Sequence, residues 1–493
     1  MLIIDGKWDR ETEVLIVGYG AAGAAAALTV QERGVEALVI EKQEEGKHYS
    51  TSHMAAGGFL NFSDRGEARK YFRAMSHLET SLLYSPSNSW PEDKPIEAYI
   101  EYALFNKTWV EGLGGTLTET ARRPENDFPG ADCFGVCRFP DAGIGMMKVF
   151  KDAVQGQGIE VMYSTSALKL LTSVKGEVLG VQASTGEDPG KKINIRATRG
   201  VILTLGGFEF DEEMKFNFLR VYPSHFAGSE SATGDGVRMS MDVGAQLWHM
   251  NSVSGRYVAK FPELPVAISM SMGRSRIEQP CGFIMVDKYG RRFTREEFSN
   301  HGLYYEAALF DSRKLDYPRV PSYLIFDRKR MSAGPVPVLS SGITGPMQAY
   351  AWSQDNSVEL ERGWISVGDT VRDLAGALGM DSDTVGKTIS TYNSYCARGH
   401  DSDFGRDASD LTPLDAPPFY AIRMWPGGMN TQGGAKRNEK AQVLNVDGDP
   451  IAGLYSAGEF GSIFGLLYAG GGNISECIAF GRIAGENAAT RKV

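Results

Sequence analysis

Four apolar residues in a row, Val14 to Val17, give way to small ones: glycines at 18, 20 and 23, then alanines up to Leu28. An uninterrupted apolar run of this length predicts a strand buried on both faces. The glycines predict a tight turn, and the alanines a helix lying close on a sheet. A second run, Ala37 to Ile40, predicts the next strand and ends on an acid, Glu41. Ser63 to Glu119 reads as mainly helical, with apolar spacing in Ala98 to Phe105; Met147 to Val154 is a further helix, leading to a strand at Gly158 to Tyr163. Ala167 to Leu171 and Val178 to Ala183 flank the turn Lys175-Gly176 as a hairpin. A third strand follows at Lys192 to Ala197, and Gly200 to Gly207 is a buried parallel strand closing on two glycines.

Ala232 to Gly236 opens a helix, Val237 to Val243, with Thr233 or Asp235 as its N-cap. From about residue 250 the pattern changes to aromatics, prolines and short strands. Phe283 to Phe293 reads as a hairpin around Lys288–Gly290, and Val358 to Arg398 as helical, with capping residues ahead of Thr384. Leu454 to Glu459 is again a strand running into a glycine turn, and Gly470 to Gly485 a glycine-rich helix start. The order of elements predicts an α/β chain of 493 residues, too long for one core. Residues 1–250 and 416–493 form one domain in two parts, and 251–415 an inserted second domain.

The first glycine turn has a specific chemistry. Gly18 permits the turn, Gly20 leaves room for a pyrophosphate, and Gly23 lets the helix approach the sheet. The helix N-terminus then offers unpaired N–H groups to phosphate oxygens. Glu41 stands where an acid accepts hydrogen bonds from a ribose diol. The turn is therefore a dinucleotide site, and the meander inserted between its strands favours FAD over NAD. The 58 glycines cluster at 18–23, 57–58, 206–207, 427–434 and 470–472. That clustering suggests backbone approaching one large ligand at several points. A helix start at 470–473 would stabilise negative charge on the N1–C2=O edge of a flavin.

Composition changes this picture mainly by exclusion. A formal net charge of -10 argues against nucleic acid. No apolar run is long enough to cross a bilayer. Five cysteines, an odd number, and an acid within the first five residues point to a cytoplasmic protein. Cys133 and Cys137 are spaced like neighbours on a helix, but seven histidines and no second cysteine pair make a metal site improbable.

Val14–Glu41, Ser52–Gly58, Val201–Gly207, Ala232–Gly236, Gly290–Phe293, Asp403–Arg406 and Gly453–Gly485 together resemble the FAD-dependent fumarate reductase and 3-ketosteroid dehydrogenase superfamily, over nearly the whole length. The resemblance implies a split Rossmann-like FAD-binding domain with a β-meander and an inserted α+β cap domain. Substrate lies between cap and flavin, and hydride passes to or from flavin N5. The implied contacts to FAD are Gly18, Gly20, Ala22, Gly23, Glu41 and Lys42 at the first turn, then Ser52, Gly57, Gly58, Ala167, Gly206 and Asp235. Gly458, Glu459, Asn473 and Ile474 follow from the C-terminal part. FAD is expected to be non-covalent, although His53 stands near the family's Ser/Thr position. No Cys-x-x-Cys-His haem motif occurs, so an external electron donor or acceptor is needed.

The chain departs from the fumarate reductases where these clamp a dicarboxylate. Their cap arginine falls at about Asn300, their histidine on Asn430 and their last arginine on Ala469. Tyr468, Tyr304 and Tyr305 stand in these regions instead, with His301 adjacent, and the 3-ketosteroid dehydrogenases use tyrosines from the same two regions. The expected catalytic residues are therefore Tyr468, Tyr305, Tyr304 and His301, with Tyr257 and Arg256 weaker. The expected reaction is dehydrogenation or reduction of a carbon–carbon bond conjugated to a carbonyl, in a small, largely apolar substrate. The alternatives are a reductase of an unsaturated acid using Arg138, Arg256, Arg274 or Arg276, a non-catalytic electron-transfer flavoprotein, and an NAD-linked dehydrogenase.

Overall fold

The computed structural model describes residues 2–3, 7–83, 93–186, 191–270, 281–296, 301–336 and 341–492. They form two compact units. The first comprises Met1–Leu219, Gly228–Ser254 and Asn430–Val493; the second comprises Arg220–Ala227 and Gly255–Met429.

In the first unit, β1 (Arg10–Val17) runs into α1 (Ala21–Glu32) and on to β2 (Ala37–Ile40). β1 and β2 pair in parallel from Val14↔Ala37 to Val17↔Ile40. Both runs are buried, as uninterrupted apolar sequence requires. β3 (Glu160–Met162) extends the sheet beyond β2. β4 (Thr165–Thr172) and β5 (Val178–Thr185) form the expected hairpin.

The two strands expected at 192–197 and 200–207 are one strand, β6 (Lys192–Leu203). Its first half pairs antiparallel with β5. A bulge between Ala197 and Gly200 follows, and Val201–Leu203 then lies between β1 and β7 (Pro450–Ser456), parallel to both. One strand thus joins the meander to the parallel sheet. α2 (Gly472–Ala489) is the C-terminal helix.

α1 and α2 pack against each other because both offer only small residues. A Cβ on Gly481 would lie 2.6 Å from the Ala22 carbonyl oxygen, and one on Gly485 2.6 Å from that of Ala26. The contacts advance together along both helices, so the two run parallel. α1 begins one residue before Ala22 and α2 nine before Gly481. The difference of eight residues, at about 1.5 Å each, sets their N-termini about 12 Å apart along the axes.

Some expectations are corrected here. Cys133 and Cys137 are not on a helix: Cys133 ends a short 3₁₀ turn and Cys137 lies in the strand Phe134–Arg138, paired with Gly58–Phe62. The helix expected from Val237 begins at Asp235, and its N-cap is Gly234, not Thr233 or Asp235.

The second unit is built on a sheet ordered Ile268–Ser269, Val253–Ala259, Phe419–Thr431, Ser322–Asp327 and Phe283–Val286. The turn at Lys288–Gly290 forms with a single bridge, Val286↔Arg292, but the ladder partner of Phe283–Val286 is Ser322–Asp327. Val358–Arg398 is not continuously helical. The strand Ile365–Gly368 interrupts it and pairs with Phe419–Ile422. Its alternating β-branched residues prefer a pleated surface to a helix. Ser382–Arg398 is a helix, and Asp381 caps it by accepting from the Thr384 N–H.

Candidate functional site

A cleft opens in the first unit at the ends of β1 and β6. Gly18, at φ +101°, makes the turn into α1, where a Cβ would stand 2.6 Å from the Thr204 carbonyl oxygen. Gly20, Ala22, Glu41, Lys42, Ser52, Ala167, Gly206, Asp235, Gly458 and Glu459 all line the cleft. Gly23 does not: it packs on the Gly18 carbonyl, 2.1 Å from where its Cβ would be. Gly57 and Gly58 are also outside the lining; Gly57 makes room for the Ala142 backbone. Asn473 and Ile474 belong to the first turn of α2.

The cleft floor brings the N-terminus of α1 beside a buried acid. Ser52 Oγ accepts from the Ala21 N–H at 3.1 Å, at the N-terminus of α1, where a phosphate oxygen would find donors. Buried Glu41 accepts from the Tyr19 N–H at 3.0 Å and the Gln43 N–H at 2.9 Å. A carboxylate so anchored keeps further lone pairs for a diol. Lys42, in the cleft wall, donates through Nζ to Asp235 at 2.7 Å and Thr233 at 2.9 Å. His53 caps a short helix by accepting from the Ser50 N–H, and burial lowers its pKa to about 3.

Glu459 Oε1 accepts from the Gly207 N–H at 3.2 Å, and burial pushes its carboxyl up to about 7. Glu209 accepts from the Thr431 N–H at 3.0 Å, and its burial likewise favours the protonated form. The connection from Glu459 to α2 is clamped by a fully buried pair, Arg437 and Glu476. Arg437 also donates to the carbonyls of Gly458 and Phe460, while Glu476 accepts from Ser462 Oγ and the Ile463 N–H.

At the start of α2 a hydroxyl and three side-chain amides stand together, with the Arg138 guanidinium against neighbouring Gly58. Tyr468 Oη accepts from the Gly471 N–H at 3.1 Å and the Asn473 N–H at 3.4 Å. Asn430, Gln432 and Asn473 hydrogen-bond to one another alongside, and Ala469 is buried.

In the second unit, Tyr304 and Tyr305 sit on the helix Leu303–Glu306. Tyr304 has the surroundings of a core residue. Its hydroxyl lies 3.4 Å from Ser224 Oγ, and burial raises its pKa above the usual tyrosine value, the wrong direction for a base. The Arg220 guanidinium lies over the Tyr305 ring, 5.3 Å from its centre. His301 Nε2 accepts from Arg256 at 3.2–3.4 Å. Tyr257 is buried, and its pKa is raised in the same way. The Gly-Arg-Arg-Phe and Asp-Phe-Gly-Arg sequences meet in a buried network: Arg292 bridges Glu296 and Asp401, and Arg406 donates to the Phe283 carbonyl. These arginines hold the unit together. Asn300, Arg274 and Arg276 lie outside the described residues.

Residues 13–474 match the family described as FAD binding domain. The chain belongs to the FAD binding domain family. It is 26% identical over 519 residues to a probable fumarate reductase of Shewanella frigidimarina, covering 98% of this chain and 78% of that one. It is 27% identical over 573 residues to a 3-oxosteroid 1-dehydrogenase of Mycolicibacterium smegmatis, covering 96% of each. The structure of 3-ketosteroid Δ1-dehydrogenase from Sterolibacterium denitrificans, in complex with 1,4-androstadiene-3,17-dione, shares the fold at a TM-score of 0.81. That pair has 23% identity, covering 98% of this chain and 100% of that one.

The cofactor of this FAD binding domain is FAD, and the first unit has the groups to hold it. The α1 N-terminus with Ser52 could hold the pyrophosphate, Glu41 a ribose, and Glu459 the ribityl chain. The offset of about 12 Å between α1 and α2 is of a length that chain can bridge. Among the described residues no cluster suited to a metal occurs and no helix is long and apolar enough to cross a membrane. Burial pushes the Cys133 and Cys137 thiols up to about 11.

Four residues were missed at the level of sequence. Glu209 and Arg437 had no motif to announce them. Glu476 stood within the run Gly453–Gly485 and Gln432 within the glycine cluster 427–434, but neither side chain carried a signal of its own.

Proposed function

We propose that this FAD-dependent oxidoreductase moves a hydride between flavin N5 and a carbon–carbon bond conjugated to a carbonyl, in a neutral, largely apolar substrate. FAD supplies the hydride acceptor or donor at N5. The observation that carries this reading is the hydroxyl and three side-chain amides grouped at the α2 start. A dicarboxylate placed against these groups would lose its hydration without gaining counter-charges from them. A ketone oxygen needs only a donor, and Tyr468 is the group we assign to it. Two N–H bonds into its oxygen polarise the hydroxyl towards donation.

The second unit is proposed to act as the cap, with Tyr305 and His301 as its candidates for contact with substrate. FAD is held non-covalently, and an external donor or acceptor exchanges the electrons. With an odd number of cysteines, five, we place the protein in the cytoplasm.

The test is to photoreduce the purified holoprotein and offer it enones, ketones and unsaturated acids. Reoxidation by the enones supports the reading; reoxidation by the acids alone sinks it. A second reading has one observation in its favour. A guanidinium hydrogen-bonded to a histidine, as in Arg256–His301, is a group that can hold a carboxylate. Under that reading Arg256→Leu would abolish activity with acids and spare any with enones.

A further inference from the structure

Three side-chain amides of the first unit form a chain whose direction is set by a backbone carbonyl. Asn430 Nδ2 donates to the Thr431 carbonyl at 2.8 Å. A carbonyl only accepts, so the Asn430 amide can lie one way round, with Oδ1 turned to Asn473. Asn473 Nδ2 donates to that oxygen at 2.9 Å, which turns its own Oδ1 towards Gln432. Gln432 Nε2 donates to that oxygen at 3.1 Å. The direction passes along all three and leaves one atom over, Gln432 Oε1.

That oxygen has no hydrogen-bond partner among the described residues, although Gln432 is fully buried. The backbone of Gln432 is satisfied: its N–H donates to the Ser252 carbonyl at 2.9 Å, and its carbonyl accepts from the Ser462 N–H at 3.0 Å. A flip of the side-chain amide would not repair the defect, because it would set two carbonyl oxygens, those of Gln432 and Asn473, against each other. The site therefore lacks one donor, and a buried acceptor without a donor is costly.

We propose that Gln432 Oε1 accepts a hydrogen bond from the flavin N3–H, making Gln432 a cofactor-positioning residue. This rests on the reading that the first turn of α2 faces the pyrimidine edge of the flavin. Along that edge N1, C2=O and C4=O accept, and N3–H is the one ring donor of the oxidised form. The Gly471, Gly472 and Asn473 N–H groups are taken by Tyr468 Oη and the Ala469 carbonyl. The positive end of the α2 dipole therefore serves the acceptors, but a helix N-terminus has no oxygen to offer a donor. Asn473, the second residue of α2, has both ends of its amide spent within the chain. Gln432 Oε1, held beside it, is the acceptor the edge requires. The locked direction also keeps a donor from turning towards N3–H.

The experiment reconstitutes apoprotein with FAD labelled with ¹⁵N at N3 and ¹³C at C2, in the parent and in Gln432→Leu. In the parent, N3 should resonate as a hydrogen-bonded donor. In Gln432→Leu it should move towards the value in an apolar solvent, with FAD affinity falling about tenfold. C2 should be unchanged throughout, because α2 still polarises C2=O. An N3 signal identical in parent and Gln432→Leu overturns the proposal and assigns the oxygen to a water or a substrate hydroxyl. A parent C2 signal without polarisation overturns the α2 reading itself, whatever N3 does. Should Gln432→Leu fail to fold, the parent alone decides with 3-methyl-FAD, which has no donor at N3. Binding at least tenfold weaker than FAD supports the proposal, and equal binding overturns it.

Discussion

Gly485 of α2 faces the Ala26 carbonyl of α1 so closely that a Cβ on the glycine would stand 2.6 Å from that oxygen. The same relation holds one turn earlier, between Gly481 and Ala22. These contacts fix the offset of the two helix N-termini, and so the spacing of the groups that would hold the two ends of the ribityl chain.

Gly485→Ala should force the helices apart. Overpacking of this kind costs about 1–3 kcal/mol. The melting temperature should drop and FAD affinity should fall with it. A variant as stable as the parent, with unchanged affinity, would show that the helices separate freely and set no spacing.

Glu41→Ala removes the acceptor for the Tyr19 and Gln43 N–H groups as well as the proposed ribose contact. FAD binding should weaken by about 1–3 kcal/mol. Glu41→Gln, which keeps an acceptor oxygen, should recover part of the loss. Isothermal titration of apoprotein with FAD and with riboflavin separates the effects, since riboflavin has no adenosine ribose. If riboflavin loses as much as FAD, the acid acts only through the backbone of the turn.

Tyr468→Phe should lower the rate of flavin reduction or reoxidation with the best enone or ketone about 10²–10⁴-fold, as for loss of an acid–base group. The substitution also strips an acceptor from the Gly471 and Asn473 N–H groups. A small loss of stability is therefore expected beside the rate effect. A variant reacting at the parent rate removes Tyr468 from the chemistry and leaves Tyr305 and His301 as candidates.

The carboxyl of Glu459 sits at about 7 against an ordinary value of 4.5. The folded state therefore holds this proton more tightly than the unfolded chain. Its contribution is fully favourable below pH 4.5 and is lost as pH rises through 7. Apoprotein melting should decline over that window relative to Glu459→Gln, with a constant gap above it. A gap that does not change with pH would mean that Glu459 stays ionised in the fold.

The glycine turn, the parallel strands and α2 were legible because each is written locally, as an apolar run followed by small residues. The boundaries inside Val358–Arg398 were not, since the strand Ile365–Gly368 is decided by its partner Phe419–Ile422, far along the chain. The same holds for His225–Phe226, which pairs with Gly427–Gly428 and so places residues 220–227 in the second unit. In the candidate site, Gly18, Glu41 and Ser52 fell into recognisable spacings. The direction of the Gln432–Asn473–Asn430 amides depends on one carbonyl, Thr431, and no spacing encodes it.

Strand β7 and helix α2 come after the whole second unit in the chain, yet they complete the sheet and bury the outer face of α1. Ala22 and Gly481, in contact, are 459 positions apart (481 less 22). Closing such a loop is slow, and the entropy is lost before the contact rewards it. During synthesis, β1, α1 and β2 must therefore wait, with α1's alanine face uncovered, until nearly every other residue has been made. The interval between translation of the glycine turn and arrival of its covering helix is when this chain is most exposed to aggregation and to chaperones.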